Sequence, residues 1–311
     1  MKTKPQTFDI PYIGYDSGSD HGWPFDVLQG QYGNPIIGFK IKNNVEQYSA
    51  DPDSYREFHT LLSQVISISG ENTTVQKLDI FRKDIYSAEP SDEYLQQKYS
   101  DHFEGRKFKT IDTLLLFTDL VEDKFKKKNK QYFFNEKSYK ELRDRVQKIY
   151  MLLKQYGSNP VYLMEADYEY YLAGILGMKF SDVPSYTNLK STDSYLNIRN
   201  QFVKTICFID SEEIDLPNEI DTYSYIGGNS AAAETAVDNF TFVNELDNYN
   251  ILIYNQVICI PPQAPKMREL EKKRKKHEGV ANSAPSNALS AVEIEDFLMD
   301  VTMNGGLIVN S

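Results

Sequence analysis

The sequence predicts an α/β (α+β) protein in which helices pack on a mixed β-sheet, and three observations carry that expectation. Residues 25–157 alternate strand-like and helix-like stretches in the order β-β-α-β-α-β-α. The helix-like stretches repeat their apolar residues every three or four positions, which gathers them on one side of a helix. The run "IDTLLLFTDL", from Ile111 to Leu120, is apolar without a break from Leu114 to Phe117. That pattern suits a strand in the middle of a covered sheet.

The elements follow in order. Residues 1–24 are rich in Gly, Asp, Ser and Pro and read as an extended, flexible arm. "DSGSDHGWPFD" in that arm lacks the third-position oxygen ligand and the closing Glu of a calcium loop. "FDVLQGQY" and "IIGFKIK" form a hairpin candidate, since Gly33-Asn34 can take the left-handed conformations of a tight turn. "ADPDSYREFHTLLSQVISISG" reads as a helix capped by Asp51, with Pro52 at its first position and an apolar stripe of Tyr55, Phe58, Leu61, Leu62, Val65 and Ile66. Gly70 ends it. "TVQKLDIFRKDIY" is a strand. "SDEYLQQKYSDHFEG" is a second helix, expected to bury Leu95, Tyr99, His102 and Phe103. A third helix spans 135–156 on the stripe Tyr139, Leu142, Val146, Ile149, Tyr150 and Leu153, with Gly157 and Pro160 just beyond it.

Residues 25–157 therefore read as an N-terminal α/β domain. Residues 158–200 read as a connection with little pattern, holding one short helix in "YLMEADYEYYLAGILGM". Residues 201–311 read as a second α/β segment. Its strands are "QFVKTICFI", "NFTFVNEL" and "YNILIYNQVICIPP", the last stopped by Pro261-Pro262 because proline donates no ladder hydrogen bond. A charged helix over 265–277 follows, then a helix in "SAVEIEDFLMDVTMN" with Ile294, Phe297, Leu298 and Val301 inward. The final "GGLIVNS" reads as a strand cut short at Ser311.

Composition narrows the function classes. The 311 residues are 41% hydrophobic and 25% charged, as in an ordinary globular protein. Tyr occurs 22 times, and its ring with one polar end suits half-exposed sheet faces or contact surfaces. The net charge of −11 excludes a general nucleic-acid binder, which needs a clustered positive field. Two basic runs, Lys124, Lys126, Lys127, Lys128 and Lys130, and Lys272, Lys273, Arg274, Lys275 and Lys276, read as solvated faces, with an acidic protein or anionic lipid as the alternative. Cys207 and Cys259 lie in apolar strand-like runs and are expected as buried thiols in a reducing cytosol. There is no signal-peptide pattern and no run of 18 apolar residues, so membrane contact is expected to be peripheral only.

No pattern carries catalysis. A phosphate loop needs G-x-x-x-x-G-K-[ST], and "YIGGNSAAAE" offers Gly227-Gly228, Asn229 and Ser230 without the lysine. His21, His59, His102 and His277 share no metal-ligand spacing. The acidic run "DSEEID" from Asp210 to Asp215 reads as a solvated loop. Catalytic, cofactor-binding and metal-binding residues are therefore expected to be none, with no cofactor, and the chain is expected not to be an enzyme.

The hairpin, "SYREFHTLLSQVISIS", "VQKLDIFRKDIY", "YLQQKYSDHFEGRKF", "TLLLFTDL", "NILIYNQVICIPP", the charged helix and "ANSAPSNALSAVEIEDFLMDVTMNGGLIV" resemble the N-terminal half of the TraG conjugative-transposon transfer ATPases of type IV secretion systems. The resemblance covers most of the chain from Phe25 onward except about 158–200. In that family the phosphate loop, the magnesium-binding acidic strand and the sensor residues lie in a C-terminal RecA-like half, whose motifs are not reached here. The resemblance implies a non-catalytic, cytoplasmic region that docks the motor against other secretion components at the inner membrane. The implied partners are those components and the ATPase C-terminal half, with self-association among the expected contacts and no direct nucleic-acid binding. It also implies that the closing strand continues beyond Ser311. The alternative is a stand-alone protein-binding scaffold module. A hydrolase or nuclease with an unrecognised carboxylate site is the third reading.

Overall fold

A computed structural model describes residues 12–30, 34–42, 52–88, 90–119, 136–178, 180, 189–191, 193, 195–198, 201–206, 222–226, 232–236, 249–279 and 285–304. Its centre is a seven-stranded sheet. The strands are β1 (Tyr12–Asp16), β2 (Val27–Gly30), β3 (Pro35–Ile41), β4 (Thr73–Ile85), β5 (Lys107–Asp119), β6 (Val161–Tyr162) and, far along the chain, β12 (Ile251–Ile260). Their order is β1-β2-β3-β5-β4-β12, with β6 also paired to β3. Between them run α1 (Pro52–Ser69), α2 (Tyr94–Phe103), α3 (Glu136–Gln155) and α4 (Glu165–Gly177). Short strands β7 (Leu189–Ser191), β8 (Leu196–Ile198) and β9 (Gln201–Val203) form a separate three-stranded sheet. β10 (Thr222–Ile226) and β11 (Ala232–Ala236) form a two-stranded one. After β12 come α5 (Gln263–Gly279) and α6 (Pro285–Asn304).

The α+β class is observed. Every ladder among the described residues is antiparallel, so the sheet is not mixed in direction. The reason is local. An alternation of strand, helix and strand suggests a crossover, but α2 lies in the connection of one long hairpin. β4 and β5 pair directly from Thr73↔Asp119 to Ile85↔Lys107.

Period-two alternation along the strands loads both faces of the sheet. Ile37, Phe39, Val75, Leu115 and Phe117 point to one face, where Leu61 and Val65 of α1 and Leu142, Val146, Ile149 and Leu153 of α3 close over them. The α3 stripe is the one expected from spacing, and on α1 Phe58, Leu61, Val65 and Ile66 pack as expected. Arg145 fixes where α1 ends, its Nη1 donating to the carbonyls of Ser69 at 3.0 Å and Glu71 at 3.2 Å and to Thr73 Oγ1 at 3.2 Å. The Ser69 carbonyl is one of the orphan acceptors that a helix terminus leaves over.

The other face carries Leu78, Ile80 and Leu114, covered by Leu163, Tyr168 and Tyr171 from β6 and α4. Residues 158–178, expected as part of a loosely patterned connection, thus form the second covering layer. Gly38 of β3 permits this approach, because a Cβ there would lie 2.6 Å from Leu116 Cδ2 and 2.8 Å from Leu163 Cδ1. Asp26 sets the start of α4 by accepting from the backbone N–H of Glu165 at 2.9 Å while its other oxygen accepts from Gly18 N–H at 2.8 Å. A carboxylate at a helix N-terminus satisfies a free amide and the positive end of the helix dipole together.

Three further expectations change. Residues 12–24, placed in a flexible arm, supply β1 and a turn of 3-10 helix, and β1 pairs with β2. β12, placed in a second segment, is the neighbour of β4 along its length from Ile251↔Arg82 to Ile260↔Thr73. That pairing joins residues 169 to 187 positions apart, and loop closure over such a distance leaves no local trace in sequence. In "QFVKTICFI", the strand covers only Gln201–Val203, and Lys204–Ile206 are not extended into the ladder. The Gly33 turn position, Asp51, the basic run 124–130, Cys207, the acidic run 210–215, the Gly227–Ser230 loop, "NFTFVNEL" and Leu307–Val309 lie outside the described residues.

Candidate docking surface

Two constellations stand out, one partly buried and one exposed. The partly buried one lies on the α4 side of the sheet. Asp112 of β5 receives Lys40 Nζ at 2.7 Å on one oxygen and Arg82 Nη2 at 2.6 Å on the other. Arg82 Nη1 also donates to Tyr170 Oη of α4 at 2.9 Å, and its guanidinium sits 5.1 Å from the Phe180 ring centre. Register explains the convergence, since Arg82 pairs with Thr110 and Lys40 with Leu114, each two positions from Asp112 on the same face. Burial disfavours the charged Lys40, but its hydrogen bond and attraction to Asp112 outweigh that and hold its pKa above the ordinary lysine value. Burial, aided by the Asp112 charge, pushes the Tyr171 hydroxyl up as well. Both Asp112 oxygens are engaged by cations, and through Arg82 the carboxylate is linked to Tyr170 of α4.

On the opposite face Asp79 accepts from Thr113 Oγ1 at 2.7 Å and pairs with Lys77. At the end of β5, burial raises the Asp119 carboxyl to about 6, Arg145 partly opposing and Glu141 adding to the rise.

The exposed constellation is α2. The sequence places Leu95 and Tyr99 in the core, but they are 73% and 61% exposed, with Tyr94 at 72%. His102 is exposed too, and Phe103 is half-buried. The correction has a geometric cause. β4 and β5 stay paired to Ile85↔Lys107, so the helix between them lies at the tip of their hairpin, away from the sheet face. A ten-residue helix there has little core to cover.

The tip is nevertheless well held. Tyr86 N–H donates to the Arg106 carbonyl at 2.9 Å, and Gly105 N–H donates back to Tyr86 O at 2.9 Å. Tyr86 Oη donates to Ser100 Oγ at 3.3 Å, and Ser91 N–H donates to Gln97 Oε1 at 2.9 Å. Phe103 packs against Tyr99 at 4.7 Å between ring centres and against His102 at 5.0 Å, with Arg106 over its face. Ile85 and Phe108, the neighbouring strand ends, are exposed on opposite faces of the arm. The result is an apolar and aromatic surface at the end of a rigid two-stranded arm. Exposed aromatic and apolar side chains gathered on one short helix are of the kind found at protein contact sites.

The remaining candidates among the described residues stand apart from one another. His59 is exposed on α1, His102 Nε2 lies 3.0 Å from Arg106 Nη2, and His277 Nδ1 lies 3.3 Å from Asn287 Oδ1. Cys259 is half-buried on β12, accepting from Thr74 Oγ1 at 3.9 Å. Among the described residues no group of three or more His, Cys, Asp or Glu side chains could hold a metal ion. No described helix is long and apolar enough to cross a membrane. No protein-family model and no curated protein matches the chain.

The sequence carried the α2 stripe but not its destination. The available signal was length: ten helical residues between two long strands of matched alternation suit a hairpin tip better than a covering layer.

Proposed function

We propose that this chain is a non-catalytic assembly region of a conjugative DNA-transfer ATPase of the type IV secretion class, and that it docks the motor half against other secretion components. The observation that carries the docking role is the exposed Tyr94, Leu95 and Tyr99 face of α2 on its braced arm. The tie to a transfer ATPase rests on the likeness of most of the chain from Phe25 onward, except about 158–200, to the N-terminal half of the TraG ATPases. The cytoplasmic face of the inner membrane is the proposed location. A stand-alone scaffold module is the second reading, favoured by the same α2 face.

Titration calorimetry of the purified chain with Mg-ATP tests the non-catalytic part. The expected result is no heat of binding at millimolar nucleotide; magnesium-dependent binding in the micromolar range would contradict it. Co-purification with a separately expressed RecA-like motor half then divides the two readings. A transfer ATPase region should retain the motor half, and a stand-alone scaffold should not.

A further inference from the structure

We infer that the α5–α6 hairpin associates with the same hairpin of a second copy of this chain, α5 of each lying against α6 of the other. The inference does not depend on the reading proposed above.

The two helices have opposite charge. α5 carries seven Lys and Arg residues against three Glu, a net charge of +4. α6 carries Glu293, Glu295, Asp296 and Asp300 with no Lys or Arg, a net charge of −4. Within the hairpin, half-buried Met267, Leu270, Arg274 and His277 of α5 face Asn287, Ala291, Ile294 and Leu298 of α6. Helical spacing of three and four positions makes each set one stripe. Arg274 is the internal tie, with Glu271 Oε1 at 2.9 Å, Glu278 Oε2 at 3.3 Å and Glu295 Oε2 at 3.8 Å.

The outer faces are what remain. On α5, Arg268, Lys272, Lys275 and Lys276 recur at helical spacing on the side away from α6, all exposed. Arg268, Lys272 and Lys276 make no ion pair among the described residues. On α6, Leu289, Val292 and Met299 form an exposed apolar stripe beside exposed Glu293 and Asp296. Phe297, expected inward, is 46% exposed on another side of the helix. An apolar stripe flanked by carboxylates is complementary to a row of Lys and Arg, whose methylene stems cover apolar surface while their heads meet the acids.

The chain holds both halves of that match, on adjacent helices of similar length. A twofold axis satisfies both at once: α5 meets the partner copy's α6, and α6 meets its α5. The product is a four-helix bundle in which each helix has neighbours of opposite charge.

Sedimentation equilibrium of the full chain tests this. A dimer is expected, weakened at least about tenfold between low and high salt because rim charges contribute to it. Two charge-reversal variants, K272E/K276E and E293K/D296K, change only exposed residues, and circular dichroism checks that each remains folded. Each alone is expected to be monomeric. Mixed together they should form a heterodimer, since the reversed α5 of one then meets the reversed α6 of the other. A wild-type chain that stays monomeric to about 100 µM would overturn the inference. So would reversal variants that dimerise like the wild type, or a mixture of folded variants that stays monomeric. A monomer that pellets with vesicles of anionic phospholipid through Lys272 and Lys276 would assign the basic face to a lipid surface and equally overturn it.

Discussion

Asp112 stands between Lys40 and Arg82 beneath α4, and Arg82 in turn holds Tyr170. Removing the carboxylate leaves the part-buried Arg82 without its ion-pair partner, beside the more exposed Lys40. Solvent screening of Lys40 reduces the cost below that of a fully buried pair, so Asp112→Ala should cost about 2 kcal/mol in a urea melt, with α4 protection lost first in hydrogen exchange. A change below about 1 kcal/mol would mean that the network does not fasten α4. Asp119 makes a prediction of opposite sign. Its folded pKa of about 6 lies above the ordinary 3.8, so the folded state binds the proton more tightly. Stability is then highest below the ordinary value and falls as pH rises from about 4 through about 6. The Asp119 Oδ2 atom is buried without a hydrogen-bond partner among the described residues. Asp119→Asn should flatten that pH dependence and raise stability at pH 7.5 by about 1–2 kcal/mol, measured by paired denaturation curves. An unaltered pH profile would count against the buried carboxyl.

At the scale of elements, α1 and α3 were legible because their stripes bury against one sheet face, the arrangement that helical periodicity encodes. β4 and β5 were legible by alternation and apolar content, and the observed pairing extends β5 back to Lys107. α4 was only partly legible. It has buried Tyr168, Tyr171, Ala173 and Gly174 spread around the helix, so no single stripe announced its face. The α2 stripe was visible but misassigned, because periodicity says that a helix has an apolar side and not what lies opposite it. This gives a prediction at the element scale. Leu95→Glu with Tyr99→Glu should leave the melting temperature within about 2 °C of wild type, since neither residue is in the core. By contrast Leu142→Ala, fully buried on the sheet-facing side of α3, should cost about 2–5 kcal/mol. Substantial unfolding by the α2 pair in a thermal melt would return that helix to the core.

For the whole molecule, the boundary expected near residue 200 is crossed by β12, which completes the main sheet beside β4. The α5–α6 hairpin then leaves from the end of β12, where Gln263 N–H donates to Glu71 Oε2 at 2.8 Å. The α2 arm and the helical hairpin are thus two projections from one sheet, the first apolar and aromatic, the second divided between basic and acidic helices. Under the docking role proposed above, these two projections are where other proteins would be met. The most direct measurement is conjugative transfer frequency from donor cells carrying Leu95→Glu and Tyr99→Glu in the chromosomal gene, with the protein level checked by immunoblot. Loss of transfer by at least about tenfold at normal protein level is the result that docking through α2 in a transfer machine predicts. Wild-type transfer from cells with normal levels of the variant would contradict it.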